Sequence, residues 1–215
     1  EALNAARQAD VVIMCMGITP RMEGEEMDVQ IDGFRGGDRT RIDLPDVQQQ
    51  LIKEIHALGK PVVLVLLNGS AIAFPAEAKK VDAIVEAWYP GQAGGAAVAS
   101  VLWGDYNPAG RLPVTFYKSV NDLPAFDDYN MKGRTFRYFE GKPQYGFGYG
   151  LSYTSFKYSN LKLSTTKLDK TGIEVKFDIT NTGQRDGDEV CQLYLQQKGS
   201  KTVSLQGFER VNIAA

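Results

Sequence analysis

Ionisable side chains are concentrated in one long segment near the start of the chain, from Thr19 to Arg41, which we call the charged loop. Its carboxylates are Glu23, Glu25, Glu26, Asp28, Asp32 and Asp38, and its arginines are Arg21, Arg35, Arg39 and Arg41. Carboxyl groups in such a cluster can donate and accept protons, and guanidinium groups can bind carboxylates. The composition is equally compatible with a solvated surface loop in which most of these charges have no chemical role.

The elements on either side favour a functional interpretation of the charged loop. The apolar run from Asp10 to Ile18 predicts a buried parallel strand, and Pro45 and Asp46 mark the start of a helix. Connections between core elements usually have about 4–6 residues, and much longer ones tend to be functional or disordered. Ligands of open α/β sheets bind beyond the carboxyl ends of the strands, so this loop lies where a site is expected.

Alternating strands and helices predict the fold class of the first half of the chain. Buried strands are predicted at residues 61–68 and 82–89, and apolar residues at helical spacing, including Val47, predict the helix that begins at Pro45. The stretch RLPVTFY at residues 111–117 predicts one more strand. We therefore predict an α/β domain at residues 1–117, with a mostly parallel sheet flanked by helices.

Two turns follow the predicted strands at their carboxyl ends. Asn68-Gly69-Ser70 closes the strand at 61–68, and Pro90-Gly91 closes the strand at 82–89. The carboxyl ends of parallel strands meet at one edge of a sheet. We therefore expect the charged loop, the turn at residues 68–70 and the turn at residues 88–91 to lie together at that edge.

The second half of the chain changes composition twice. Residues 118–152 are rich in Tyr, Phe, Gly, Pro and Asp without a regular period, which predicts an aromatic connector that packs against the α/β domain. Its predicted anchors are Arg134, Arg137, Tyr138 and Phe139. Alternation of apolar and polar residues returns at residues 153–215 and predicts short antiparallel strands. A sandwich of this type needs about seven strands and four or five are predicted, so we expect an incomplete β-sandwich.

Composition argues against several classes of function. A net charge of −2 gives no electrostatic footprint for nucleic acid, and no apolar run approaches the roughly 20 residues of a membrane-spanning helix. Cys15 and Cys191 are predicted to be buried small hydrophobes, and the single histidine, His56, cannot form a zinc site. Residues 91–95, G-Q-A-G-G, lack the G-x-G-x-x-G fingerprint of dinucleotide sites. No metal or cofactor is therefore predicted.

Three stretches of the sequence resemble the C-terminal half of glycoside hydrolase family 3, the family of secreted β-glucosidases and β-xylosidases. They are EGEEM…GGDRTRIDLP, AWYPGQAGGAAVASVLWGDYNPAGRLPVTF and GRTFRYFEGKPQYGFGYGLSYTSFKYSNL. The resemblance implies a TIM-type barrel that is absent from these residues, an α/β sandwich domain at 1–117, and the first part of a fibronectin type III-like domain at 153–215. The GRTFRYF form resembles the β-xylosidase-like branch of the family.

The resemblance also implies which residues carry the chemistry. Retaining glycosidases use two carboxyl groups about 5–5.5 Å apart, one as the nucleophile and one as the acid/base. In the family the nucleophilic aspartate lies on the barrel, and the acid/base glutamate lies on the long loop of the α/β domain. Matching the family's Gly-Glu element places the acid/base at Glu25, with Glu23 and Glu26 as competitors. Asp38 and Arg39 are interpreted as a salt-bridged anchor for the far end of the loop.

Substrate, partner and location are expectations from the same resemblance. The substrate would be a β-linked oligosaccharide or an aryl glycoside, the partner would be the barrel of the same protein, and the location would be secreted or periplasmic. Trp88 and Tyr89 could stack on a sugar in the leaving-group subsite, although interface or core packing explains these aromatics at least as well.

Two other classes of function compete with an enzyme. The first is a noncatalytic carbohydrate-binding or scaffolding module, in which the acids of the charged loop are structural. The second is a flavodoxin-like nucleotide binder, which the missing phosphate loop disfavours. A barrel encoded upstream of Glu1 in the full-length reading frame would distinguish the enzyme from the noncatalytic module.

We predict that this chain on its own does not hydrolyse glycosides, because one carboxylate of the required pair is assigned to the barrel. The measurement is release of p-nitrophenol from aryl β-xylosides and β-glucosides by the purified chain. Release above the background of a mock preparation free of other glycosidases would contradict this prediction.

Overall fold

The structure, a computed structural model, describes residues 1–24, 26–36, 38–167, 169–170 and 172–215. The chain forms two compact units. The first unit comprises residues 1–99 and 113–147, and the second comprises residues 100–112 and 148–215. The domain boundaries proposed above, after residues 117 and 152, stay a prediction.

A three-stranded parallel sheet forms the centre of the first unit. It contains β1 (Val12–Gly17), β4 (Val62–Leu67) and β5 (Ala83–Glu86) in the order β1-β4-β5. The central strand β4 has the sequence VVLVLL, and its residues Leu64 and Leu66 are completely buried. Helices on a parallel sheet bury both faces of the central strand, which explains why an unbroken apolar run forms β4. The predicted α/β fold class is confirmed.

The described residues form five α-helices. They are α1 (Ala2–Gln8), α2 (Pro20–Glu23), α3 (Asp46–His56), α4 (Gly94–Trp103) and α5 (Thr135–Tyr138), with a 3₁₀ turn at Val120–Asp122. Helix α3 is the helix predicted to begin at Pro45, while the short α2 and α5 lie in segments predicted as a loop and a connector. No helix among the described residues is long and apolar enough to cross a membrane.

Helix α3 confirms the predicted helical spacing, with one exception. Ile52 and Ile55 are 0% and 2% exposed, so they form the buried face of the helix. Val47 was predicted on the same face, but it is 76% exposed. At 3.6 residues per turn, Val47 points about 80° away from Ile55 and about 140° away from Ile52, at the margin of the buried stripe.

The predicted strand at residues 111–117 is wrong. Leu112 exchanges two backbone hydrogen bonds with Gly148 and Tyr149, and Phe116 forms an isolated bridge with Tyr145. Pro113 lies between these two contacts and has no backbone N–H to donate. The segment is therefore extended and paired at separate points, without a continuous ladder.

The connector is held by contacts on both sides of its short helix α5. Arg134 donates hydrogen bonds to the backbone carbonyls of Ala125, Asp128 and Asn130, within the connector itself. Phe139 packs edge-on against Tyr117, with ring centroids 4.9 Å apart. Among the predicted anchors, Phe139 thus reaches residue 117, whereas Arg134 braces the loop that precedes α5.

Antiparallel strands form most of the second unit, as predicted. β6 (Phe156–Leu163) pairs with β7 (Val175–Asn181), and β8 (Gly187–Gln196) pairs with β9 (Val203–Ile213). Cys191 in β8 is 8% exposed, in agreement with its predicted burial. The same prediction is wrong for Cys15, which lies on the exposed face of β1 together with Ile13, whereas Met14 on the opposite face is buried.

One carboxyl group is partly buried where strand β5 ends. Burial raises the pKa of Glu86 to about 7, against the opposing effects of the Trp88 backbone N–H and the Asn68 side chain. The Trp88 N–H donates to Glu86 Oε1 over 3.1 Å. The folded chain therefore holds a proton on Glu86 at pH values where an unfolded glutamate has lost it.

We predict that replacing Glu86 by glutamine stabilises the chain at pH 8 and removes part of the pH dependence of its stability. The pKa of Glu86 is higher in the folded than in the unfolded state, so the free energy of unfolding falls as the pH rises from about 4.5 to about 7. The total decrease in the free energy of unfolding is about 3 kcal/mol. Urea unfolding followed by tryptophan fluorescence at pH 5 and pH 8 measures it.

The matched control is Glu209→Gln, which neutralises an exposed carboxylate on β9. It should leave the difference between pH 5 and pH 8 unchanged. A Glu86→Gln variant that is less stable than the parent at pH 8 would show that the ionised carboxylate is well accommodated.

Candidate functional site

Three separate segments meet at the carboxyl edge of the parallel sheet, around the carboxylate of Glu23. The hydroxyl of Ser70, in the turn after β4, donates to Glu23 Oε1 over 3.0 Å. The hydroxyl of Tyr89, after β5, donates to Glu23 Oε2 over 2.6 Å. The expectation that the charged loop and the two turns share one edge is thereby confirmed.

Local sequence explains how Glu23 comes to this edge. Thr19 caps helix α2 by accepting a hydrogen bond from the backbone N–H of Met22, and Pro20 fits the first turn of a helix. Gly24 then ends the helix with a φ of 26°. A Cβ atom at position 24 would lie 2.2 Å from a methyl group of the buried Val29. The chain can therefore reverse direction here only with glycine at this position.

The far end of the charged loop is tied to the same turn by Arg39. The loop contains a short antiparallel pair, β2 (Phe34–Arg35) and β3 (Asp38–Arg39). From β3, Arg39 Nη1 donates to Ser70 Oγ over 2.9 Å and to the carbonyl of Ala71 over 3.0 Å. Arg39, predicted as an anchor of the loop, is therefore bound to the turn after β4, and the neighbouring Asp38 is exposed.

The guanidinium of Arg39 is largely withdrawn from water. Burial lowers its pKa, and the nearby Glu23, Asp43 and Tyr89 oppose that effect. Its Nε and Nη2 atoms are buried and have no hydrogen-bond partner among the residues that the structure describes. The negative charge of Glu23 therefore has a compensating positive charge close to it at the base of the loop.

Tyr89 packs against the turn that contains Ser70. A side chain at Gly69 would place its Cβ 2.6 Å from the Tyr89 ring and 3.2 Å from Glu23 Oε2, so this close approach requires glycine. Burial and the neighbouring Glu23 raise the pKa of the Tyr89 phenol above its ordinary value. The phenol therefore keeps its proton, and with it the ability to donate to Glu23, throughout the neutral range.

Trp88 differs from its neighbour in both conformation and contacts. It has a φ of 53°, which is unusual for a residue other than glycine, and its ring lies edge-on to Phe116 with centroids 5.9 Å apart. Phe116 is 1% exposed, so Trp88 contacts core aromatics, whereas Tyr89 is 39% exposed. Stacking of either ring on a sugar stays a prediction.

The three candidate acid/base residues have different positions. Glu23 is bound by two hydroxyl groups, as described above. Glu26 is exposed and has a φ of 55° in a turn. Glu25, the preferred candidate, lies outside the residues that the structure describes. No three His, Cys, Asp or Glu side chains of the described residues come together as metal ligands.

The polar residues that complete this edge were not predicted as site residues. Asn68 is completely buried and donates to the carbonyl of Ser70 over 3.0 Å, which shapes the turn that binds Glu23. Asn68, Gly69 and Ser70 were predicted as turn residues without a role at the site. The signal that could have identified them is their position directly after the most apolar strand, at the edge where ligands bind.

A family model and similar known proteins all indicate the same family for this chain. Residues 1–153 match the family model for the glycosyl hydrolase family 3 C-terminal domain. A xylan 1,4-beta-xylosidase of Xylanibacter ruminicola is 50% identical over 100% of this chain and 25% of its own length. A periplasmic beta-glucosidase of Salmonella typhimurium is 40% identical over 99% of this chain and 29% of its own length. The chain thus spans about a quarter of these relatives.

Solved structures agree with the sequence relatives over nearly the whole chain. The beta-glucosidase of Kluyveromyces marxianus superposes with a TM-score of 0.82 at 30% identity, over 99% of this chain and 26% of that one. The beta-glucosidase of Bifidobacterium adolescentis superposes with a TM-score of 0.83 at 30% identity, over 100% of this chain and 32% of that one. With a family model that covers most of its residues and relatives that match it end to end, the chain belongs to glycoside hydrolase family 3 and carries the family's C-terminal domain.

Proposed function

We propose that the full-length protein is a retaining, exo-acting β-glycosidase that removes terminal β-linked sugars from plant-type oligosaccharides. The observation that carries this proposal is the charged loop, which hydrogen bonds from Ser70 and Tyr89 hold at the carboxyl edge of the sheet. The relatives named as a xylan 1,4-beta-xylosidase and as beta-glucosidases support the substrate class, and both xylosides and glucosides are candidates.

In this proposal the chain supplies the acid/base half of the active site. The nucleophilic carboxylate belongs to a barrel domain outside these residues, which docks on the charged loop. The acid/base first protonates the leaving-group oxygen while the nucleophile forms the glycosyl-enzyme. It then takes a proton from the water that hydrolyses this intermediate, so a single carboxyl group serves both steps.

We assign the acid/base role to Glu25, with Glu23 and Glu26 as the alternatives to be tested. Both carboxylate oxygens of Glu23 already accept hydrogen bonds within the chain, and Arg39 lies close to them. That arrangement suits a fixed anion better than a proton donor, because a donor needs a free oxygen directed at the substrate. Glu26 is exposed in a turn. Support for Glu25 comes from the resemblance of Gly24-Glu25 to the family's Gly-Glu element.

A relative named as a periplasmic beta-glucosidase supports an extracytoplasmic location for the protein. Oligosaccharides of plant origin reach a cell from outside. An exo-acting glycosidase in the periplasm or the medium would therefore meet its substrate directly.

We predict that Glu25→Ala in the full-length enzyme slows hydrolysis of natural disaccharides about 10²–10⁴-fold, the usual contribution of general acid catalysis. Formation of the glycosyl-enzyme from a dinitrophenyl glycoside should be much less affected, because that leaving group scarcely needs a proton. Added azide should restore turnover and yield a glycosyl azide, which chromatography of the products detects.

Glu23→Ala and Glu26→Ala are the matched controls, and neither should be rescued by azide. Rescue of one of them, with Glu25→Ala unchanged by azide, would move the acid/base role to that residue. A full-length protein with no activity on any β-glycoside, but with binding of oligosaccharides, would instead support the noncatalytic carbohydrate-binding module.

A further inference from the structure

The carboxylate of Glu23 joins the charged loop to both turns at the edge of the sheet, and we call Glu23, Ser70, Tyr89 and Arg39 the Glu23 clasp. We propose that Tyr89 and Ser70 are positioning residues for the acid/base step, because they fix the backbone directly before Glu25 by binding both oxygens of Glu23. This inference rests on the proposed function, since it concerns the presentation of the same acid/base.

The two hydroxyl groups that restrain Glu23 come from two different segments of the chain. Ser70 lies 47 residues and Tyr89 lies 66 residues further along the sequence. The contact from Tyr89 is 2.6 Å long, within the range of a charge-assisted O–H···O⁻ bond. A carboxylate held at one oxygen can still rotate, whereas one held at both oxygens has little freedom. Helix α2, which ends at Glu23, and the following Gly24 are therefore fixed relative to the sheet.

Ser70 also closes the base of the charged loop. Its hydroxyl accepts a hydrogen bond from Arg39 Nη1 and donates one to Glu23 Oε1. Glu23 belongs to the first arm of the loop and Arg39 to its last arm, so one hydroxyl group connects both arms. The two arms of the charged loop are thereby tied to the same hydroxyl group.

The surroundings of Tyr89 indicate that its hydroxyl, rather than its ring, has the specific role. Tyr89 is 39% exposed, whereas the ring of its neighbour Trp88 contacts the buried Phe116. The position of the Tyr89 ring depends on the missing side chain at Gly69, where a Cβ would lie 2.6 Å from the ring. The elevated pKa of Tyr89 keeps the phenol protonated, so the contact with Glu23 persists over the neutral and mildly alkaline range.

The experiment compares leaving groups in the full-length enzyme. Tyr89→Phe removes the hydroxyl and keeps the ring. We expect kcat to fall about tenfold for disaccharides and p-nitrophenyl glycosides, and to change less than about twofold for dinitrophenyl glycosides. Displacement of a catalytic group by about 1 Å can cost up to about 10²-fold, and here only the acid/base step should be affected.

Two further variants separate positioning from general loss of structure. Tyr153→Phe is the matched control, because its hydroxyl donates to the carbonyl of Val101 within the second unit. It should show no dependence on the leaving group. Ser70→Ala should reproduce the pattern of Tyr89→Phe, and Ser70→Thr, which keeps a hydroxyl, should restore kcat on poor leaving groups.

The outcomes distinguish this inference from the proposed function. Equal losses of kcat for all leaving groups in Tyr89→Phe, or a change in KM alone, would overturn the positioning role while azide rescue of Glu25→Ala still stands. An unaltered Tyr89→Phe enzyme would overturn it as well. Azide rescue of Glu23→Ala would overturn both assignments, because Tyr89 and Ser70 would then bind the acid/base itself.

Discussion

Parallel pairing of β4 between β1 and β5 is the constraint on which the rest of the first unit depends. Parallel strands run in the same direction, so the segments that leave their carboxyl ends emerge at one edge. The charged loop leaves β1, the Ser70 turn leaves β4 and the Tyr89 turn leaves β5. Contacts between Glu23, Ser70 and Tyr89 are possible because all three segments begin from this common edge.

Several polar side chains lie at the carboxyl edge of the sheet, partly or fully buried, where they need hydrogen-bond partners or neutralisation. Asn68 is completely buried and bonds to the backbone of its own turn, while Glu86 remains partly buried with a raised pKa. Polar groups withdrawn from water cost free energy unless hydrogen bonds or protonation compensate them. The clasp compensates Glu23 with two hydroxyl donors and a guanidinium, whereas Glu86 is accommodated by holding its proton.

In the second unit, two charged side chains are instead stabilised by a largely buried ion pair. Arg111 Nη2 lies 2.9 Å from Glu189 Oε2, with both side chains 12% exposed, and the Tyr158 hydroxyl donates to the other oxygen of Glu189. The Asn107 side chain accepts hydrogen bonds from the Ser152 hydroxyl and the Tyr153 backbone N–H, and donates one to the carbonyl of Asp186. The segment at residues 100–112 is therefore integrated with the antiparallel strands by polar contacts of high specificity. Removing one partner of a largely buried ion pair lowers the stability of a protein. The pair of Arg111 and Glu189 therefore favours the one arrangement of the unit in which both charges are matched.

The sequence by itself determined the elements whose pattern is local. The apolar runs of β1 and β4, the spacing of Ile52 and Ile55 in α3, and the alternation in β6–β9 depend on neighbours a few residues away. Strand direction and the position of the charged loop followed from the order of these elements. The order of the elements thus predicted which edge carries the candidate site, but not which side chains meet there.

Only the tertiary structure decided the contacts of the clasp and the burial of individual side chains. Glu23 and Tyr89 are 66 residues apart, and no local pattern encodes that the turn at Gly69 leaves room for the ring. Val47 and Cys15 have the residue types of core positions, yet they are exposed because burial depends on what covers a face. The stretch at 111–117 has the composition of a strand but pairs only at separate points on either side of Pro113. In each case the outcome depends on whether residues distant in sequence come close. The register and direction of whole elements decide whether they do.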